Sequence, residues 1–187
     1  MSTTRLLVLG LVVGHGTTHG YAIHHELVLW DADKWANVKW GSIYHALRQL
    51  TKEGKLASVE DPSGRVDYRI TDEGHEAFML LLRGALSDGG AHADLLSAGL
   101  AFLTALPRAE AIALLERRRA ALEEERERTA TIVGAGPDRA WKTPGTEHVP
   151  EMFALWHGNA DHALQWTSGL IERLRGGAYT MADDVRA

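Results

Sequence analysis

The chain has 187 residues, 45% of them hydrophobic, and a formal net charge of −5. That length suits one DNA-binding-sized domain with a helical appendage, or one compact domain, and the apolar content suffices for a real core. Cysteine is absent, which excludes disulfides, thiolate metal sites and thiol nucleophiles, and the acidic balance excludes a uniformly basic nucleic-acid binder.

The charge is unevenly spread. Residues 1–85 hold nine Lys/Arg against ten Asp/Glu, yet six of those nine cations fall between positions 39 and 69. Salt screens surface charges beyond about 8 Å at physiological ionic strength, so local clustering outweighs the sum.

Residues 5–14 read as a first helix, apolar almost all round through Leu6, Leu7, Val8, Leu9 and Leu11. Such a helix needs burial on more than one side. Two arrangements supply it: packing within one subunit, or one face set against the C-terminal helix of a second. The apolar run 6–13 is broken by Gly10 and too short to span a membrane, and no small-residue cleavage pattern follows. A cytoplasmic chain, nucleoid-associated when bound and with no membrane partner, is expected. Residues 14–20 read as a turn. A second helix follows from Thr18 or His19 to about Trp30, with Tyr21, Ile23, Leu27 and Leu29 as its apolar set. His15, His19, His24 and His25 lack ligand spacing and a carboxylate partner, so surface or capping roles are expected and no metal. Residues 31–38 read as a short acidic connector carrying Trp35.

The next stretch organises the chain. Ile43, Leu47 and Leu50 recur at helical spacing, widened by Ala46, while Ser42, His45, Arg48, Gln49 and Lys52 lie on the other side. These polar side chains reach base edges and phosphates. Gly54 ends the helix. Two strand-like runs follow, 56–60 and 66–70, around the turn-forming Asp61-Pro62-Ser63-Gly64-Arg65. In the second run Val66, Tyr68 and Ile70 share one face, and Asp67 and Arg69 the other. A helix followed directly by a β-hairpin is the layout of a winged helix-turn-helix, with Arg65 and Arg69 on the wing.

The Gly41-Ser42-Ile43-Tyr44-x-Ala46-Leu47 run, the Gly54-Lys55-Leu56 step, the Asp67-Tyr68-Arg69-Ile70-Thr71-Asp72-Glu73-Gly74 run and the upstream His19-Gly20-Tyr21 resemble the PadR family of bacterial transcriptional regulators. The resemblance is specific through about Ala85 and looser beyond. Trp40 is a departure: the family usually has proline before that glycine.

Thr71 caps the following helix, with Asp72 and Glu73 in its first turn and Phe78, Leu81, Leu82 and Leu86 inward. Ser87-Asp88-Gly89-Gly90 marks a domain boundary. Residues 95–106 read as an apolar helix stopped at Pro107, and 108–133 as a long charged helix laced with i,i+4 pairs. Gly134-Ala135-Gly136-Pro137 breaks it, and a loop runs to about Pro150. The last helix, 149–174, carries apolar residues on more than one face, so it has to pack against something large. The tail from Gly176 lacks periodicity and is expected to be flexible.

The expected architecture is mainly α with a small β-hairpin wing: a winged helix-turn-helix over 1–86, a helical dimerisation domain over 91–175, and a tail over 176–187. The dimerisation role comes from the resemblance. So does the expectation of a homodimeric repressor released by a small-molecule effector, such as a small aromatic compound or an antibiotic, or by another stress signal. Tyr21, Lys39, Ser42, Tyr44, His45, Arg48, Gln49, Lys52, Arg65 and Arg69 are the expected contacts to a double-stranded, pseudo-palindromic operator. Met152, Phe153, Trp156 and Trp166 are the expected effector pocket. An enzyme using His157, His162 and Asp161 or Glu151 is disfavoured, because no phosphate loop, nucleophile elbow or zinc motif accompanies them, and no cofactor is expected. A winged-helix protein-interaction module without DNA binding is the alternative.

Overall fold

The computed structural model describes residues 2–60, 62, 64–90, 92–134 and 148–186. The chain divides into two compact units: Met1–Ala85 with His92–Leu103, and Leu86–Ala91 with Thr104–Ala187.

The first unit opens with α1, Thr3–His15, whose N-cap Ser2 accepts a hydrogen bond from the Arg5 N–H. Leu6 through Val12 are all buried in the single chain, against α4, α6 and the sheet introduced below. The all-round apolar character of α1 is thus satisfied without a second subunit. A Cβ at Gly10 would overlap the ring of Phe102, so the glycine admits that ring onto the helix.

Thr17–His19, expected as a turn, forms a short strand, β1. It is too short for an alternation signal, and pairing with a distant strand defines it. His19 then caps α2, Gly20–Leu29, its Nδ1 accepting the Ala22 N–H at 3.0 Å. Ile23 and Leu27 are buried, but Tyr21 and Leu29 are exposed, so half of the expected apolar set faces outward. The connector holds a one-turn helix, α3, Ala32–Trp35. The Trp35 Nε1–H donates to the Trp30 carbonyl at 2.7 Å, which fixes the turn between α2 and α3.

Helix α4 spans Trp40–Lys52. It ends in a Schellman motif: Gly54 takes φ +73°, its N–H donates to Thr51, and the Lys55 N–H donates to Leu50. Strands β2, Leu56–Glu60, and β3, Val66–Ile70, form the expected antiparallel hairpin, with Ser58 opposite Tyr68. Strand β1 pairs antiparallel to the other edge of β3, with Thr18 opposite Tyr68, giving the sheet order β1-β3-β2. The hairpin turn is described only at Pro62, Gly64 and Arg65; Asp61 and Ser63 lie outside the described residues.

Helix α5, Asp72–Ser87, starts at a joint. The Thr71 hydroxyl donates to the Gly54 carbonyl at 2.7 Å and accepts from the Gly74 N–H at 3.0 Å. A Cβ on Gly74 would overlap the Lys55 carbonyl. The two family-like glycine steps therefore meet each other. Phe78, Leu82, Ala85 and Leu86 form the buried stripe of α5, with Leu81 half-buried.

Helix α6, Ala93–Ala101, falls within the range assigned by sequence to the helical domain, yet it packs in the first unit. The Thr3 hydroxyl donates to Asp94 at 2.7 Å, and the Phe102 ring meets Phe78 edge-on at 5.6 Å.

The second unit is built on α7, Arg108–Gly134, and α8, Val149–Arg175. Arg108 bonds the Leu174 carbonyl, Arg175 bonds Glu116, and His157 bonds the Arg126 carbonyl, so the helices run antiparallel. Ala111, Leu114, Leu115 and Leu122 face Leu164, Leu170, Ile171 and Leu174 as the buried seam. The expected break at Ala135-Gly136-Pro137 and most of the loop after it lie outside the described residues.

The tail departs from expectation. The guanidinium of Arg108 donates to the carbonyls of Leu174, Ala178 and Tyr179 and to Asp184. The Ala182 N–H donates to Leu106, and Met181 is fully buried. One arginine holding carbonyls leaves no periodic trace in the sequence, so a tethered segment reads there as a loose one.

Candidate nucleic-acid interface

Helix α4 has two chemically different sides. Ile43, Leu47 and Leu50 are fully buried and Ala46 nearly so. Each large side chain contributes about 1.5–3 kcal/mol relative to exposure, which fixes the helix's rotation about its own axis. The opposite side is thereby forced outward, and His45, Arg48 and Lys52 are exposed along it. Gln49 is half-buried beside them.

The remaining expected contacts are positioned by their neighbours. Ser42 is committed to the helix start: its hydroxyl accepts the Lys39 N–H at 2.9 Å and donates to the Lys39 carbonyl at 2.6 Å. Its proton is not available to a base while that bond holds. Lys39 is the exposed N-cap residue. Tyr44 is half-buried, and its ring lies on Gly20, where a Cβ would come within 2.8 Å of it. Tyr21 is 61% exposed at the start of α2.

On the hairpin Arg69 is exposed on β3, and Arg65, also exposed, pairs with Asp67 at 3.0 Å. Tyr68 turns inward from β3; burial raises its hydroxyl pKa, Tyr44 pushes the same way and Arg48 opposes. The hairpin packs against α4 through β2.

Two further features hold the unit's surface. Arg5 makes a bidentate pair with Glu53, at 2.8 and 2.5 Å, tying α1 to the end of α4. The Arg5 guanidinium, helped by Lys55 at 2.6 Å, holds the Glu53 carboxyl down at about 2. Trp40, noted in the sequence only as a departure, sits in a group of rings: His24 edge-on at 4.4 Å, Tyr44 at 4.8 Å and Tyr21 at 6.3 Å. Nonlocal stacking of this kind has no signature in a single stretch of sequence.

Of the four histidines between positions 15 and 25, His15 pairs with Glu26 at 2.6 Å, His19 is a helix cap, His24 meets Trp40 edge-on, and His25 lies beside Tyr21 with ring centroids 6.5 Å apart. Among the described residues no three His, Asp or Glu side chains converge as metal ligands. No helix among them is long and apolar enough to cross a membrane.

The four residues expected to line an effector pocket stand on α8. Met152, Trp156 and Trp166 are 40%, 41% and 36% exposed, and Phe153 is half-buried against Trp156, with ring centroids 5.3 Å apart. Trp166 lies ten residues beyond Trp156, about 15 Å along the helix axis. In the single chain they form an open face.

A buried-back helix carrying an exposed cationic side, preceded by a crossing helix and followed by a β-hairpin, is a winged helix-turn-helix. The model of the transcriptional regulator PadR-like family matches residues 8–79, which cover this domain. Similar solved structures include Bacillus subtilis PadR in complex with operator DNA, at 17% identity over 91% of this chain and 98% of that one, TM-score 0.38. They also include Bacillus subtilis PadR in complex with p-coumaric acid, at 17% identity over 92% and 99%, TM-score 0.37. A third is smu.1604c from Streptococcus mutans UA159, at 20% identity over 95% and 98%, TM-score 0.38. No curated protein matches the chain.

Proposed function

We propose that this chain is a non-catalytic, DNA-binding transcriptional repressor acting as a homodimer. The observation that carries the proposal is the rotation of α4: its apolar back is sealed, and His45, Arg48 and Lys52 stand together in solvent. A helix presented in that way enters a major groove with its N-terminal part against base edges. His45, Arg48 and Gln49 read bases; Lys39, Lys52, Arg65 and Arg69 contact backbone or minor groove. Tyr21 and Tyr44 stand at the groove edge, and Ser42 serves chiefly as the cap of the reading helix.

Dimerisation is assigned to α8. Met152, Leu155, Trp156 and Trp166 leave a row of large apolar side chains in solvent on a helix already sealed on its other side. Two such faces covering each other remove that area from water. Two-fold symmetry then sets two half-sites on the order of 34 Å apart. A small aromatic effector lodged between the paired faces, against Trp156 and Trp166, alters the spacing of the reading helices and releases the operator. That spectrum of ligands is supported by the family and by the aromatic lining.

The test is a gel-shift titration on the DNA upstream of the coding region, across salt and with a panel of aromatic ligands. Specific, salt-dependent binding relieved by a ligand supports the proposal. Salt-independent behaviour with no binding to any DNA favours the protein-interaction module, for which the near-neutral charge of residues 1–85 is the argument.

A further inference from the structure

The side of α4 that carries His45, Arg48 and Lys52 is polar, whereas Trp40, in line with the buried Ile43 and Leu47, is the large apolar side chain that the helix leaves in solvent at its tip. Trp40 is the first residue of the helix and keeps 46% of its surface in solvent, although three rings pack around it. Its position is set by a stack that starts in the backbone. Gly20 lacks the Cβ that would strike Tyr44, so the Tyr44 ring comes close against α2. Tyr44 supports one side of the indole at 4.8 Å, and His24 meets it edge-on at 4.4 Å. An exposed tryptophan fixed in this way loses little further side-chain freedom on contact.

We infer that Trp40 is a specificity-determining residue, an apolar plate that reads the C5-methyl of a thymine at the base step facing the tip of α4. The inference rests on the reading of α4 as a groove-entering helix. The chemistry narrows the partner. The major-groove edges of G, C and A present only hydrogen-bond donors and acceptors, whereas thymine adds a methyl group. An apolar surface at the helix tip gains by desolvating that methyl and gains nothing from the other three bases. The neighbouring polar side chains do not compete for the position. Ser42 is bonded back to Lys39, and His45 and Arg48 lie one and two turns further along the helix. The tip is thus the point on α4 where shape and hydrophobicity, rather than hydrogen bonding, do the selecting.

The test uses the full chain and leaves the protein unaltered in its first arm. A site is selected from a random duplex library, and each thymine in it is replaced in turn by deoxyuridine, which removes one methyl and nothing else. Burying a methyl is worth about 0.8 kcal/mol, so affinity falls about fourfold at one thymine in each half-site. The W40A chain binds the parent site more weakly and is indifferent to deoxyuridine at that position. W40F, which keeps a ring in the stack, retains part of the methyl preference and controls for loss of folding. Methyl-blind binding by the unaltered chain, or equal methyl dependence in W40A, overturns the inference while leaving the DNA-binding reading intact. Failure of the unaltered chain to select any duplex overturns both.

Discussion

The ring of Tyr44 occupies the space in which Gly20 would carry a side chain, 2.8 Å from the Cβ that is not there. This contact joins α2 to α4: the glycine of the His19-Gly20-Tyr21 run makes room for the tyrosine of the Gly41-Ser42-Ile43-Tyr44 run. G20A forces either the ring or the helix to move. Overpacking of this kind costs about 1–3 kcal/mol. The G20A chain is expected to unfold at lower urea by that amount, and the double variant G20A/Y44L, which removes the ring, is expected to recover part of it.

Gly74 makes a harsher case, because its neighbour is a backbone carbonyl rather than a ring. A Cβ there overlaps the Lys55 oxygen, and that residue belongs to the Schellman turn ending α4. G74A is expected to cost about 3 kcal/mol, the upper end for overpacking. T71A removes one cap and the bond to Gly54, and is expected to cost about 1 kcal/mol. Denaturant midpoints of the two variants rank the contacts directly.

Acid should loosen the link between α1 and α4. The Glu53 carboxyl is held at about 2 by its bonds to Arg5 and Lys55. A folded-state value below the unfolded one of about 4.3 means the stabilisation is complete above that unfolded value and disappears as pH falls through about 2. The melting temperature of the unaltered chain is expected to decline across that window more steeply than that of E53Q. Parallel declines would show that the pair contributes nothing to stability, as many exposed pairs do.

In the proposed function Arg48 reads a base and Arg65 anchors the backbone. R48A is expected to relax base preference at one position per half-site, at a cost of about 1–3 kcal/mol. R65A is expected to weaken all duplexes alike and lower the salt slope by about one. Binding measured on matched and mismatched duplexes at several salt concentrations distinguishes the two.

The outward face of α8 predicts the assembly state. L155D and W156D each place a carboxylate where an apolar partner is proposed, at side chains 62% and 41% exposed in the single chain. Both are expected to sediment as monomers with unchanged helix content and to lose DNA affinity by more than tenfold. A dimer that survives both substitutions moves the proposed interface elsewhere.

The strongest periodic signals in the sequence belonged to α4 and to the β2–β3 hairpin, and these elements stand where periodicity places them. Ile43, Ala46, Leu47 and Leu50 are buried, so the outward direction of His45, Arg48 and Lys52 is legible in the sequence. What escaped depended on partners far away in the chain. Three residues of β1 exist as a strand only because β3 pairs with them. The cap role of Ser42 competes with a groove-facing one at the same position, and only the backbone bonds distinguish them. The glycines at 89 and 90 look like a linker, yet Gly89 packs so tightly on Ala121 that a Cβ would come within 2.6 Å of it. The same turn hands its Asp88 carbonyl to the buried Arg118. Helix α6 packs in the first unit because Phe102, which lies beyond the glycine-rich stretch, inserts against Gly10.

Arg108 gathers three carbonyls and a carboxylate from the last stretch of the chain, and Met181 is sealed from water behind them. A carboxypeptidase should therefore stall once it reaches this knot, and cutting at residue 177 should expose an unpaired guanidinium together with the apolar bed of Met181. Fusion handles placed directly after residue 182 would strain the same knot, so purification tags and fluorescent reporters belong at the opposite terminus.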